Sequence, residues 1–391
     1  MINEKAYLLG TKRSCIRELF EYGRARAAIV GNDKVYDYSL GNPSIPAPKE
    51  VDETIAQILR DTDSLKIHGY TSAVGDLETR QAIAGDLNAR YGTAVSPASL
   101  FITCGAAPGL CAVFSALRVP GGEILAVAPF FPEYRPFVES TGLAFRVVPP
   151  DVPNFQIDMV ALESAITPNT QAIILNSPNN PAGTVYTEET LRALGALLTE
   201  RSAQYGHPIY IVADEPYREL SYDGVTVPFI PTIYKDTIVC YSYSKSLSLP
   251  GERIGYVYVP ETATDSKAVY AAVAGAARSM GHVCAPSLWQ KVIARCTHLR
   301  PDLQSYDENR RTLYDGLVSA GYEVAKPDGA FYLFVKAPGG DANAFSEKAK
   351  LKDLLVVPGD DFGCPGYFRL CYCVTLRQIK ESLPIFAELI K

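Results

Sequence analysis

Five short apolar runs in the middle of the chain constrain its fold more than any other feature: Leu100–Cys104, Glu123–Ala128, Gln171–Leu175, Pro208–Ala213 and Thr237–Tyr241. Each has the length and the branched or aromatic residues of a buried strand. Helical periodicity alternates with them, and alternating strands and helices build a mostly parallel sheet covered on both faces. The helix between the third and fourth runs shows this best. Thr187 is its expected N-cap, Leu191, Leu194, Leu197 and Leu198 share one face, and Gly206 lies near its end. Sheets of this kind bind ligands beyond the carboxyl ends of their strands. At those ends this chain places Gly105-Ala106-Ala107-Pro108-Gly109, Phe131, Asn180, Asp214 and Lys245.

A chain of 391 residues is too long for one minimal core, so two domains are expected. The connector Leu40-Gly-Asn-Pro-Ser-Ile-Pro-Ala-Pro48 is the first candidate for a crossing between them. Toward the end the pattern changes. Gly329–Val335 and Tyr367–Cys373 read as strands with Ala342–Lys350 helical between them, which suggests a smaller α+β domain packed with the N-terminal portion. A last helix starts from the capping-box pattern Thr375-x-x-Gln378, with Leu376, Ile379, Leu383, Phe386 and Leu389 on its apolar stripe. The expected division is 1–47, an N-terminal arm and part of the small domain; 48–285, the large domain; and 286–391, the rest of the small one.

A net charge of −6 argues against a nucleic acid or an anionic membrane as the main partner. No apolar run approaches the ~20 residues of a membrane helix, and Met1–Gly10 lacks the basic flank and apolar core of a signal peptide. Nine scattered cysteines without a Cys-x-x-Cys fit buried thiols in a reducing cytoplasm better than disulfides or zinc. Four histidines without ligand-like spacing also speak against a metal site.

Lys245 stands just past a strand, among Ser242, Ser244 and, eight residues on, Arg253. A lysine deprotonated by burial can form a Schiff base with a carbonyl compound, and serines with an arginine make a phosphate site. Most lysines at strand ends are simply solvated, and most aspartates there order a loop. Taken together the strand ends say more. Pyridoxal phosphate needs a lysine for its aldehyde, a carboxylate for its ring nitrogen, a packed ring face and a phosphate cup. Lys245, Asp214, Phe131, and the Gly105–Ala107 turn with Ser242, Ser244 and Arg253 offer one of each.

Four motifs, in order, carry a resemblance to a known family. They are Asn180-Pro-Ala-Gly183, Asp214-Glu-Pro-Tyr217, Ser242-Tyr-Ser-Lys245 continued by Pro250-Gly-Glu-Arg253-Ile-Gly-Tyr256, and Pro358-Gly-Asp-Asp-Phe362-Gly-Cys-Pro-Gly366-Tyr-Phe-Arg369. From about Gly41 to Arg369 the chain resembles the class I/II aminotransferases, fold-type-I enzymes like aspartate aminotransferase that depend on pyridoxal phosphate. The resemblance implies an α/β large domain with a mostly parallel seven-stranded-type sheet covered by helices, and a smaller α+β domain from the N- and C-terminal segments. It implies that Lys245 holds the cofactor and moves the substrate proton, that Asp214 pairs with the ring nitrogen, and that Asn180 and Tyr217 contact the ring oxygen. Phe131 would stack on the ring. Gly105, Ala106, Ala107, Ser242, Ser244 and Arg253 would hold the phosphate, and Tyr70 would reach it from a second subunit of a homodimer with shared sites. Arg369 would fork the substrate α-carboxylate, with the Gly41 backbone and Asn180 beside it.

The expected reaction is transfer of the amino group of an L-amino acid to a 2-oxo acid, 2-oxoglutarate first, by a ping-pong mechanism. A carbon–sulfur β-lyase on the same scaffold and a non-catalytic pyridoxal-phosphate-binding protein are the alternatives. Ala107 lies near the place where some aspartate-specific members carry a lysine, so aspartate, aromatic and medium aliphatic donors all stay open.

Overall fold

The computed structural model describes residues 2–11 and 14–391. Its strands are, in chain order, β1 (Tyr36–Asp37), β2 (Leu100–Thr103), β3 (Glu123–Val127), β4 (Ala144–Val148), β5 (Thr170–Asn176), β6 (Tyr210–Asp214), β7 (Thr237–Ser242), β8 (Gly255–Tyr258), β9 (Tyr332–Lys336), β10 (Leu354–Leu355), β11 (Val357–Pro358) and β12 (Tyr367–Cys371). Seven of these form the large sheet, in the order β2-β8-β7-β6-β5-β3-β4. The β8 strand runs antiparallel to β2 and β7, and the other neighbours are parallel.

Both faces of this sheet are dry, which is why its strands read as continuous apolar runs. Ile173 and Leu175 of β5 enter one core cluster while Ala172 and Ile174 enter the other. Ile211 and Val212 of β6, and Ile238 and Val239 of β7, divide in the same way. Helices Ala106–Ala116 and Ser266–Ser279 pack together on one face. Helices Leu77–Tyr91, Glu188–Tyr205 and Ser287–Cys296 contribute to the core on the other. The two strands not singled out from sequence differ physically from the five that were. The edge strand β4 exposes Ala144, Arg146 and Val147, so it carries little apolar signal, and β8 opens on a glycine inside the lysine motif.

The tail forms the expected second layer. An antiparallel sheet β11-β12-β9 is joined by a parallel pair β1-β10, which ties the N-terminal segment to the C-terminal third. Helix Cys15–Val30 docks there through Leu19 against Val357 and Phe362, and any side chain at Gly23 would press on Leu355 at 2.7 Å. The final helix begins with half of its capping box. Thr375 Oγ accepts the Gln378 N–H at 3.2 Å, but the Gln378 side-chain amide points to the Asp37 carbonyl at 3.5 Å instead of back to Thr375. The helix after β2 starts at Ala106, so Pro108 lies in its first turn, where a missing N–H leaves no intrahelical bond unmade.

Gly255 shows how tightly the turn region is closed. A Cβ there would run into the Tyr241 carbonyl oxygen and lie 3.1 Å from the Gly105 backbone, whereas one at Gly251 would meet nothing. We expect Gly255→Ala to destabilise the protein by about 3 kcal/mol, in the upper range for overpacking, and Gly251→Ala to stay within about 0.5 kcal/mol of wild type. Urea denaturation of both variants checks this, and equal stabilities would contradict it.

Candidate active site

Three neighbouring strands, β5, β6 and β7, deliver Asn176, Asp214 and Ser242 to one end of the sheet. The Ser242 side chain caps the short helix Tyr243–Ser246 by accepting the Ser244 N–H at 3.2 Å, and that helix carries Lys245. Lys245 Nζ donates to the Gly41 carbonyl at 2.7 Å and lies 5.5 Å from the Phe331 ring centre. Burial holds this amine below the ordinary lysine range, the condition for a nucleophilic lysine. Position 41 has to be glycine, because a Cβ would collide with the Tyr332 hydroxyl. That hydroxyl is itself bonded to the Tyr217 hydroxyl at 2.9 Å.

Asp214 is the most constrained group in the site. Its Oδ2 accepts from the Tyr134 hydroxyl at 2.5 Å, while its buried Oδ1 has no hydrogen-bond partner among the described residues. Burial pushes this carboxyl up to about 7. Asn176 braces the strand end: its Nδ2 donates to the Asp214 carbonyl at 2.8 Å, and its Oδ1 accepts the Asn180 N–H at 2.7 Å. Asn180 Oδ1 in turn accepts from Arg369 Nη1 at 3.0 Å.

Arg369, on β12, is 2% exposed, and its other contact is from Nη2 to the Ser39 carbonyl. It sits 4.8 Å from the Tyr332 ring centre and 5.1 Å from that of Phe362, and its Nε is buried without a partner. Among the described residues no carboxylate forms an ion pair with it. A buried guanidinium held by neutral acceptors, with a donor to spare, is a site for an anion.

The opposite side offers a second anion site. Gly105 adopts φ 90°, which favours glycine, and a Cβ there would lie 2.6 Å from Arg253 Nη2. The Ser242 and Ser244 hydroxyls are 2.7 Å apart, and Arg253 is turned by a left-handed backbone and a 2.8 Å bond from Nη1 to the Pro250 carbonyl. All of this surrounds one cavity of about 280 Å³. Of the residues singled out from sequence, Gly41, Ala106, Ala107, Phe131, Asn180, Asp214, Tyr217, Ser242, Ser244, Lys245, Arg253 and Arg369 line it. Gly105 does not line the cavity; it lies against Arg253. Tyr70 is not brought there within the chain; it is 88% exposed. Sequence reasoning missed Tyr134, Asn176, Tyr332 and the Ser39 carbonyl. Tyr134 and Asn176 lie three and four residues from Phe131 and Asn180, but nothing in their spacing separates them from ordinary core or turn residues.

The chain matches the family model described as aminotransferase class I and II over residues 34–384. It is 30% identical to a probable aspartate/prephenate aminotransferase of Thermus aquaticus over 362 residues, covering 89% of each chain. Among solved structures it is similar to an amino transferase from Eubacterium rectale, at 55% identity and a TM-score of 0.98 over 100% of this chain and 98% of that one. It is also similar to the aspartate aminotransferase of Thermus thermophilus with maleate, at 25% identity and a TM-score of 0.87 over 100% and 99%. This chain belongs to the class I and II aminotransferases.

The enzyme is thus an aminotransferase that depends on pyridoxal phosphate, and its residues fit that group. The bare Asp214 Oδ1 suits a protonated ring nitrogen, the depressed Lys245 amine suits the aldehyde, and the Gly105 turn with two hydroxyls and Arg253 suits the phosphate. Among the described residues, no set of three or more His, Cys, Asp or Glu side chains could hold a metal ion, and no helix is long and apolar enough to cross a membrane.

A testable consequence follows from Asp214. In the cofactor-free protein its folded pKa of about 7 lies above its unfolded value near 3.8, so the folded state binds the extra proton between those limits. The contribution of Asp214 to stability is therefore greatest below about pH 4 and falls as pH rises to about 7, by up to about 4 kcal/mol for a three-unit shift. We expect the urea midpoint of cofactor-free wild type to fall over this window relative to Asp214→Asn, which lacks the titration. Parallel profiles for the two proteins would contradict the assignment.

Proposed function

We propose that the enzyme moves the amino group of an L-amino acid to a 2-oxo acid, with 2-oxoglutarate as the expected acceptor, by a ping-pong mechanism. One observation carries this reading. A single short segment holds both reacting sides of the site, since the Ser39 carbonyl takes Arg369 and the Gly41 carbonyl takes Lys245. An α-amino acid gripped by its carboxylate at Arg369 then presents its Cα to Lys245. The names of the relatives, aspartate and prephenate aminotransferases, support the same substrate class.

In this reading Arg369 binds the α-carboxylate through a fork of donors, a geometry that lysine cannot reproduce. Lys245, its amine held by burial below the ordinary lysine range, would be the base that takes the proton from the substrate Cα and the acid that gives it back. Asp214 keeps the ring nitrogen protonated, and Tyr134 keeps its carboxylate turned so that Oδ1 faces the cavity. Asn180 and Tyr217 donate to the ring oxygen, and Phe131 covers the ring. Gly105, Ala106, Ala107, Ser242, Ser244 and Arg253 hold the phosphate. When bound, pyridoxal phosphate supplies the aldehyde that condenses with the amine and the ring that takes up the electron pair left at Cα. The exposed Tyr70 fits a residue given to a second subunit, so the reading includes a homodimer with shared sites. Nine free cysteines suit a cytoplasmic enzyme.

Two substitutions test the roles. Lys245→Ala should abolish the visible absorption of the loaded protein together with all transamination. Arg369→Lys should keep that absorption but lower kcat/KM for the amino donor about 100-fold, since one or two charge-assisted bonds worth roughly 1.5–3 kcal/mol each are lost. Release of pyruvate and ammonia from cystathionine without any acceptor would instead identify a β-lyase.

A further inference from the structure

We infer that the site selects amino donors with an apolar side chain, and that Ile16 and Leu40 are the residues that select them; this rests on the aminotransferase reading above. Leu40 stands between Ser39, which holds Arg369, and Gly41, which holds Lys245. A donor clamped at those two points lies along the same segment, and its side chain leaves past Leu40. Leu40 lines the cavity yet is 42% exposed, an apolar surface that a substrate side chain would cover. Ile16 lines the cavity from a different element. It lies in the first turn of helix Cys15–Val30, packed against the cluster of Leu19, Val357 and Phe362, and the Phe362 ring lies beside the Arg369 guanidinium. Both residues therefore border the carboxylate-binding side of the site.

Charge points the same way. The charged residues lining the cavity are Asp214, Lys245, Arg253 and Arg369. Arg369 takes the α-carboxylate, Lys245 the reacting centre and Arg253 the cofactor phosphate, so among the described residues that line the cavity no cation is left for a carboxylate on the donor side chain. Asp361 faces the thiol of Cys15, the residue before Ile16. A methylene placed in an apolar pocket is worth about 10-fold or more in discrimination, and an unpaired buried carboxylate is rejected more strongly still.

The test is the donor half-reaction of the full-length holoenzyme without acceptor, so that the way an acceptor's distal carboxylate is met does not enter the result. Loss of visible absorption is followed after rapid mixing with L-leucine, L-methionine, L-phenylalanine, L-alanine, L-aspartate or L-glutamate. Second-order rate constants for the large apolar donors should exceed those of the two acidic donors at least tenfold. Ile16→Ala and Leu40→Ala should each lower the leucine-to-alanine ratio about tenfold. Calorimetry gives a readout independent of turnover: 4-methylpentanoate should bind the holoenzyme at least tenfold more tightly than succinate. Aspartate or glutamate reacting faster than every apolar donor would overturn the inference, as would an unchanged leucine-to-alanine ratio in both variants. If no amino acid of either class discharged the absorption, the aminotransferase reading itself would fall, and this inference with it.

Discussion

Burying Asp214 with one carboxylate oxygen bonded and the other bare is the constraint around which the site is arranged. An unpaired buried acceptor costs roughly 1–3 kcal/mol, more when it is charged. A protein that only needed an ordered strand end would spare itself this by turning the carboxylate to a backbone N–H. Here the Tyr134 hydroxyl occupies Oδ2 at 2.5 Å, Asn176 fixes the Asp214 backbone, and Oδ1 has no partner among the described residues. Burial raises this carboxyl to about 7, because an anion without a cation beside it is disfavoured there. A cationic ring nitrogen reverses that penalty, so the same geometry that weakens the cofactor-free protein favours the loaded one.

The second constraint is coupling between the two layers. Arg369 and Tyr332 belong to the small antiparallel sheet, whereas Asn180, Tyr217 and Lys245 belong to the large-sheet side. Four hydrogen bonds join them at the site: Arg369 to Asn180, Tyr332 to Tyr217, Arg369 to the Ser39 carbonyl and Lys245 to the Gly41 carbonyl. Arg369 and Lys245, the groups proposed to meet the substrate carboxylate and its Cα, are therefore tied to one another. Gly41 is the joint in this arrangement, because only a residue without a Cβ lets the Tyr332 hydroxyl pass. Orientation held in this way is worth far more to a reaction than the strength of any one contact.

How much of this was legible in the sequence follows from what each part demands. The strands buried on both faces had to be apolar throughout, so β2, β3, β5, β6 and β7 were readable, while the exposed edge strand β4 was not. Lys245, Asp214, Asn180 and Arg369 were readable because each lies in a dense motif of glycines, prolines and polar residues. Tyr134 and Tyr332 were hidden, since a buried tyrosine with a hydroxyl partner has the same sequence signature as a packing aromatic. The Ser39 carbonyl left no trace, as any residue supplies one. Gln378 shows the reverse: the local capping pattern was present, but the Asp37 carbonyl took its side-chain amide. Tyr70 could be named from sequence, while one chain alone leaves it in solvent.

The central claim is that the bare oxygen of Asp214 exists to hold a protonated ring nitrogen. Nitrogen-15 NMR of the holoenzyme loaded with ring-labelled pyridoxal phosphate tests it most directly. The account predicts a shift characteristic of a protonated pyridine nitrogen in wild type at pH 8, and of an unprotonated one in Asp214→Asn. An unprotonated nitrogen in the wild-type holoenzyme, or the same shift in both proteins, would contradict it.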